Sequence, residues 1–194
     1  MTFSNADLQN FRGVGLPDTI GTHTRLLIVG INPGLHTAAV QAPFSRRGNR
    51  FYPALYSAGI VDRVVDASSG FRQEDREHLL DRGVGITALV DRATARADEL
   101  ASDELVSGAG VLSEKVRRIR PSVVAVLGIT AYRVAFARPK AMVGRQPSDI
   151  HGAGLWVVPN PSGLNAHESI ASLGAAYREA AIAAGIDVYD RPIG

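Results

Sequence analysis

The sequence contains no cysteine, and lysine occurs only at positions 115 and 140. The absence of cysteine excludes disulfide bridges, thiol nucleophiles, iron–sulfur clusters and zinc sites with thiolate ligands. Every apolar run is interrupted by glycine, proline or charge within a few residues, so none has the length that a membrane span requires. Residues 1–10 also lack the basic and apolar pattern of a secretion signal. We therefore expect a cytoplasmic protein with no membrane partner.

The sequence also has no large excess of positive or of negative charge. The formal net charge is +2, with 21% charged and 45% apolar residues, which is typical of a globular domain and excludes disorder. The 194 residues fit one domain, 1–194, in which 1–24 form an N-terminal extension of uncertain structure. The histidines have no metal-ligand spacing, so we expect neither a metal nor a cofactor. A compact monomer suits this size.

Four short runs rich in β-branched residues predict buried strands at 26–29, 84–89, 123–127 and 155–158. Helical patterns separate them: Leu112, Val116 and Ile119 share one face, and Pro121 ends that run. Residues 170–181 again keep helical spacing, and Gly185 is suited to a C-cap. Strands that alternate with helices predict a parallel sheet covered on both faces.

Two similar loops follow the first and the last of these strands. The first, 30–35, reads Gly-Ile-Asn-Pro-Gly-Leu, and the second, 160–165, reads Asn-Pro-Ser-Gly-Leu-Asn. Either loop alone is a common turn. In an α/β sheet, however, binding sites lie beyond the carboxyl ends of the strands. The matched pair therefore predicts a functional site between these loops.

The two loops occur together with Pro43-Phe44, with Gly-Asn-Arg-Phe at 48–51 and with the segment 85–92. In this order and spacing, over residues 26–177, the chain resembles the mismatch-specific uracil-DNA glycosylases and thymine-DNA glycosylases of the uracil-DNA glycosylase superfamily. The resemblance implies a three-layer α/β/α sandwich with a central, mostly parallel sheet. It also implies a base excision repair enzyme that removes uracil from G-mismatched double-stranded DNA, with thymine, etheno-cytosine and other deaminated or damaged bases as further substrates.

The resemblance implies that Asn32 is the catalytic residue and holds the attacking water through its side-chain amide. Because an amide accepts protons poorly, such an enzyme depends on position rather than on proton abstraction and is slow. Phe44 is implied to stack on a base flipped out of the helix. The implied substrate-binding set is Gly30, Ile31, Gly34, Phe44, Asn49 and Asn160.

Three positions depart from related enzymes. Gly34 and Asn160 stand where strict uracil enzymes carry a Tyr that blocks a 5-methyl group and a His that stabilises the leaving base. These changes imply a broader choice of base and a lower rate. Ala88 replaces a polar or cationic side chain close to the base, which leaves the base selectivity open.

The second loop is implied to hold the DNA. Leu164, with Gly163, enters the base stack, while Pro161 and Ser162 contact the flanking phosphates. Asn165, followed by Glu168, predicts a helix N-cap at this point. Arg50 lies beside the pocket loop together with Arg46 and Arg47. The complete predicted DNA-binding set is Pro161, Ser162, Gly163, Leu164, Asn165 and Arg50.

Two other functions remain open at this point. One is a nucleotide-binding α/β protein whose first loop cradles phosphate, although no Walker lysine follows the first strand. The other is a module that binds flipped or mismatched bases without cutting, which the alanines at 88 and 166 permit. For the enzyme, lyase chemistry needs an amine nucleophile. Because neither lysine lies in a motif loop, the sequence predicts a monofunctional glycosylase.

Overall fold

The computed structural model describes residues 3–163 and 168–190 and contains a five-stranded sheet with the order β2-β1-β3-β5-β4. Four strands run parallel to one another, namely β2, β1, β3 and β5. The short β4 pairs antiparallel with β5 at the edge of the sheet. The four predicted strands are confirmed, each bound within one residue. The strands are β1 (Leu26–Gly30), β2 (Val84–Ala88), β3 (Val123–Leu127), β5 (Gly154–Val158) and β4 (Gly144–Arg145).

The helices connect and cover these strands. They are α1 (Asn5–Gln9), α2 (Leu35–Val40), α3 (Phe51–Ser57), α4 (Gln73–Asp81), α5 (Ser102–Ile119), α6 (Ile129–Ala135) and α7 (Ile170–Ala183), with a 3₁₀ turn at Ala97–Glu99. The helix predicted around Leu112 is confirmed as α5, which ends before Pro121.

The last helix has the predicted end but not the predicted start. Gly185 follows α7 with a φ of +74°, a conformation that favours glycine, and confirms the predicted C-cap. Asn165, at which the sequence predicted the helix N-cap, lies outside the described residues, and α7 has its N-cap four residues later. The helix begins at Ile170, because the Ser169 hydroxyl accepts a hydrogen bond from Ser172 N at 3.0 Å and so caps the first turn.

Alternate residues along each strand face two apolar layers. Leu26 and Ile28 of β1 pack with α3, α4 and α7, whereas Leu27 and Val29 pack with α5 and α6. This arrangement confirms the three-layer α/β/α sandwich. The chain leaves β1 toward the first layer and leaves β3 toward the second, so a crevice opens between the carboxyl ends of these neighbouring strands.

The N-terminal segment closes the open edge of β2. Thr19 pairs antiparallel with Ile86 through two backbone hydrogen bonds of 2.9 and 2.7 Å. A few residues earlier, Leu16 N donates to the carboxylate of Asp91 at 2.6 Å. Residues 16–19 therefore form a wall beside the carboxyl end of β2. Within residues 3–163 and 168–190, no helix is both long and apolar enough to span a bilayer.

Candidate active site

A cavity of about 350 Å³ lies beyond the carboxyl ends of β1, β2 and β3. Its volume is within the range of small-molecule sites. Its walls are the first loop, the end of β2, the start of the second loop and the N-terminal segment 16–19. The structure thus brings together, on one cavity, predicted residues from distant parts of the chain: Gly30, Ile31, Asn32, Gly34, Phe44, Asn49, Asn160 and Ser162.

The first loop is held by the segment that follows β2. Leu89 N donates to Gly30 O at 2.9 Å, Val90 N to Ile31 O at 3.0 Å, and Thr94 N to Pro33 O at 3.2 Å. These bonds continue the parallel pairing of β1 and β2 beyond the ends of both strands. The backbone around Asn32 is consequently fixed by the sheet and not only by its own turn.

The side-chain amide of Asn32 has a defined orientation. Its Nδ2 group donates to Arg92 O and to Thr94 Oγ1, each at 2.8 Å. The Thr94 hydroxyl itself donates to Arg96 O at 2.7 Å, so its oxygen is an acceptor for Asn32. No hydrogen bond among the described residues uses Asn32 Oδ1. The arrangement therefore leaves an acceptor oxygen available on a residue that lines the cavity.

Arg92 ties this segment to helix α5. Its guanidinium makes a two-pronged contact with Glu104, with N–O distances of 2.7 and 2.9 Å. The hydrogen bond from Arg92 and another from Ala101 N lower the pKa of Glu104 to about 2. The carbonyl of Arg92 accepts a hydrogen bond from Asn32, so this ion pair links the first loop to helix α5.

Phe44 presents an aromatic ring to the cavity. Its ring stacks on Phe51 with the centroids 3.9 Å apart and the planes 26° apart, and Phe51 is fully buried. Phe44 has a φ of +55°, and the preceding carbonyl of Pro43 accepts from Tyr52 Oη at 2.9 Å. Phe51 thus holds one face of the Phe44 ring, and the ring also lines the cavity.

Gly34 leaves space open at the cavity wall. A Cβ atom placed there meets no atom within 4 Å, and the φ of −78° suits any residue. His36, by contrast, is absent from the described cavity lining; its Nδ1 lies 3.0 Å from Ser45 Oγ. Burial and the charge of Arg46 lower the pKa of His36.

The second loop is fixed at its start by two elements. Asn160 Oδ1 accepts from Ser162 N at 3.0 Å, and Tyr177 Oη of α7 donates to Pro159 O at 3.1 Å. A Cβ atom on Gly163 would lie 3.0 Å from Gly48 O, so the loop approaches the 48–51 segment closely. Leu164 and Asn165, predicted to contact DNA, lie outside the described residues.

Arg50 joins the two sides of that loop. Its backbone N donates to Pro161 O at 3.0 Å and its Nη2 to Ser162 O at 2.6 Å, while Nη1 donates to Glu168 O. The guanidinium therefore contacts the chain on the N-terminal side of the second loop, at Ser162, and after its C-terminal end, at Glu168. The direct DNA contact predicted for Arg50 stays a prediction.

Sequence reasoning missed three polar residues of the cavity. Lys115 on α5 and Asp18 of the N-terminal segment form an ion pair of 2.7 Å, and Thr87 of β2 bonds to both. All three line the cavity. Lys115 therefore lies at the cavity although it is not part of either motif loop. Thr94 was missed too, although it lies only a few residues beyond the 85–92 motif.

An acceptor fixed beside an aromatic surface, at the switch point of a parallel sheet, defines an α/β enzyme for a flat, ring-shaped ligand. The sequence model of the uracil DNA glycosylase superfamily matches residues 17–183, and the chain belongs to this superfamily of DNA glycosylases, which hydrolyse N-glycosidic bonds. This membership favours the glycosylase over the nucleotide-binding protein and the non-catalytic module.

A solved structure has the same fold. It is the solution NMR structure of a candidate uracil DNA glycosylase from Methanosarcina acetivorans, with a TM-score of 0.59 and 16% sequence identity. The match covers 86% of this chain and 97% of the other. At this identity the likeness concerns the fold, and the particular base that this chain removes has to be argued from its own cavity.

Proposed function

We propose that the protein is a monofunctional glycosylase that releases uracil and related bases from double-stranded DNA at G-mismatches. The observation that carries this proposal is the orientation of Asn32, whose Nδ2 group is engaged by Arg92 O and Thr94 Oγ1. An oxygen held in this way can accept a hydrogen bond from a water molecule and position it. Positioning of this kind lowers a barrier without any change of protonation state on the protein.

In the proposed reaction, the bond between C1′ and the base nitrogen breaks and the base leaves with the electron pair. Water adds to the electron-poor C1′ and gives up a proton to solvent, and the anionic base takes up a proton, so the products are the free base and an abasic site. Asn32 holds the water, and the Phe44 ring supports the plane of the base after flipping. Base–aromatic stacking contributes about 1–3 kcal/mol per base.

The openness at Gly34 supports a broad choice of base. No atom lies within 4 Å of a Cβ placed there, so a 5-methyl group or a larger substituent has room. Ala88, at the end of β2, adds no polar contact of its own to the cavity. The preference for a guanine opposite the base rests on the resemblance of both loops to mismatch-specific enzymes. Thymine, etheno-cytosine and other deaminated or damaged bases therefore have steric access to the cavity, and the polar groups around the base decide among them.

The second loop is proposed to engage the duplex around the extruded nucleotide. Ser162 lines the cavity next to Asn160, whereas Pro161 and Gly163 are not among the lining residues, and their DNA contacts rest on the sequence resemblance. The wedge role of Leu164 rests on the sequence resemblance alone. The monomeric and cytoplasmic states expected from the sequence stay predictions.

The test is a release assay on end-labelled DNA that carries one G:U pair, one G:T pair or one uracil in a single strand. We expect alkali-labile abasic sites in the G:U duplex and no strand breakage before alkali. Duplexes with A:T and G:C pairs only are the control. Tight mismatch binding without abasic product would support the non-catalytic module instead. Absence of DNA binding would favour the nucleotide-binding protein.

A further inference from the structure

The polar end of the cavity contains a cluster that the proposed mechanism does not use. Lys115 Nζ lies 2.7 and 3.0 Å from the two carboxylate oxygens of Asp18 and 2.9 Å from Thr87 Oγ1. Thr87 Oγ1 in turn donates to Asp18 Oδ1 at 2.6 Å. The cluster joins three elements that are distant in sequence: the N-terminal segment, β2 and α5.

A different structural feature positions each of the three side chains. The antiparallel bridge between Thr19 and Ile86 sets Asp18 beside β2. Thr87 faces the α5 layer because its neighbour Ile86 faces the other one. Lys115 comes from α5, whose Leu112 and Val116 are buried against the sheet on either side of it in sequence.

Both charged side chains keep part of their surface open. The side chain of Lys115 is 20% exposed and that of Asp18 25% exposed, and both line the cavity. An ammonium has three N–H donors, and a carboxylate has about four acceptor sites. The contacts within the cluster leave Oδ2 of Asp18 with capacity for a further donor. The three donors of Lys115 face Asp18 Oδ1, Asp18 Oδ2 and Thr87 Oγ1, so a ligand carbonyl takes the place of one of these contacts.

We propose that Asp18 and Lys115 bind the edge of the flipped base and select lactams, in which a ring N–H stands beside a carbonyl. This inference rests on the proposed function and narrows its substrate class. Asp18 accepts from the ring N–H, and the Lys115 ammonium donates to the carbonyl oxygen. Uracil, thymine and hypoxanthine have such an edge. Etheno-cytosine has no hydrogen on the corresponding ring nitrogen and is disfavoured.

The same cation suits the departing base. When the bond to C1′ breaks, the base carries the electron pair, and its negative charge spreads to the carbonyl oxygens. A cation already held in place stabilises that charge without reorganisation. Lys115 thereby supplies a positive group near the base although position 88 is alanine.

The test compares uracil with N3-methyluracil, which lacks the ring N–H, in otherwise identical duplexes. We expect the wild type to prefer uracil in kcat/KM, and Asp18→Asn to reduce this preference by about 10- to 100-fold, since a hydrogen bond from the ring N–H to a charged acceptor is replaced by one to a neutral amide. The two duplexes differ in how easily the base flips out, but this difference is the same for the wild type and for Asp18→Asn. It therefore cancels when their uracil preferences are compared. Lys115→Met should lower uracil release by about 10-fold or more. Asp81→Asn and Lys140→Met, at exposed sites away from the cavity, are the controls.

The double variant Asp18→Asn/Lys115→Met removes both charges together and keeps the test open if either single variant unfolds. An unchanged uracil preference in every folded variant overturns the inference and leaves the proposed function intact. Equal release of cytosine and uracil by the wild type, or a borohydride-trapped adduct of DNA with Lys115, also overturns it. No base release by the wild type from any duplex would overturn the proposed function as well.

Discussion

At the scale of single residues, the cavity is organised around an oxygen that does not titrate. Asn32 cannot take a proton from water, so its contribution depends on where Oδ1 is held. Two acceptors, Arg92 O and Thr94 Oγ1, fix the amide by engaging its nitrogen. Substitutions that remove the oxygen and substitutions that release the nitrogen should therefore both lower the rate, to different extents.

We expect Asn32→Ala to lower the rate of base release by about 100- to 1,000-fold while duplex binding changes little, because positioning of the water is lost. Single-turnover release and a direct binding titration on the same G:U duplex measure the two effects. Near-normal release by this variant would contradict the assignment of Asn32.

Thr94→Val should lower kcat by about 10-fold with little change in KM, because the nitrogen of Asn32 loses one close acceptor and the amide is held only by Arg92 O and, at 3.2 Å, by Pro33 O. Thr94 is 1% exposed, and valine fills nearly the same volume, so folding is retained. Thr94→Ser restores the hydroxyl and should recover most of the rate. Equal kcat values for the serine and valine variants would show that the hydroxyl does not position Asn32.

Gly34→Tyr should suppress thymine release much more strongly than uracil release, because a ring at this position fills the space that a 5-methyl group needs. The backbone at Gly34 has a φ of −78° and accepts a side chain without strain. The measurement is the ratio of kcat/KM for G:U and G:T duplexes. Gly110→Ala, an exposed helical change away from the cavity, is the control, and an unchanged ratio in Gly34→Tyr would refute an open wall.

At the scale of elements, the site depends on how α5 supports the loop after β2. Arg92 of that loop pairs with Glu104 in the first turn of α5, and the same helix carries Lys115 into the cavity. The helix thus contacts the loop through Glu104, and through Lys115 it contacts Asp18 and Thr87. A change in α5 should affect the base-binding end and the water-binding end together.

Glu104→Gln should lower the thermal unfolding temperature at neutral pH, and the difference from wild type should vanish in acid. The folded-state pKa of Glu104, about 2, lies below its ordinary value of 4.5. The unfolded chain consequently binds more protons between these values, and the stability from this carboxylate is lost as the pH falls from about 4.5 toward 2. Thermal melts of both proteins across this range measure it. A difference that stays constant down to pH 2 would contradict the role of the ion pair.

At the scale of the whole molecule, the small net charge of +2 makes the local distribution of arginine decisive. Arg46 and Arg47 are exposed between the Phe44 ring and the Gly-Asn-Arg-Phe segment, and Arg46 also borders the cavity. We infer that these two arginines meet the phosphates beside the extruded base.

The double variant Arg46→Gln/Arg47→Gln should weaken duplex binding and reduce the slope of log K against log salt by up to about 2, since each phosphate contact contributes about 0.9. Binding titrations at several salt concentrations provide the slope. Arg76→Gln/Arg118→Gln removes the same charge from exposed positions outside the cavity lining and should leave the slope unchanged. Identical slopes for both double variants would exclude these phosphate contacts.

The strands and both motif loops could be predicted because their signals are local: short β-branched runs and Asn-Pro turns. The start of α7 could not, since Asn165 and Ser169 both resemble N-caps, and the hydrogen bond to Ser172 N favours the second. Lys115 and Asp18 are 97 residues apart and meet only because α5 packs beside the edge of β2. A polar residue on a helix gives no sequence signal of a partner at that distance.

The segment 16–19 forms one wall of the cavity and is joined to the rest of the domain by the Thr19–Ile86 bridge, the Asp91 carboxylate and the contacts of Asp18 with Thr87 and Lys115. The oxygen that is proposed to hold water belongs to a different part of the chain, the loop after β1. If Asp18 selects the base as proposed, substitutions within 16–19 should change the choice of lesion more than they change the positioning of water by Asn32.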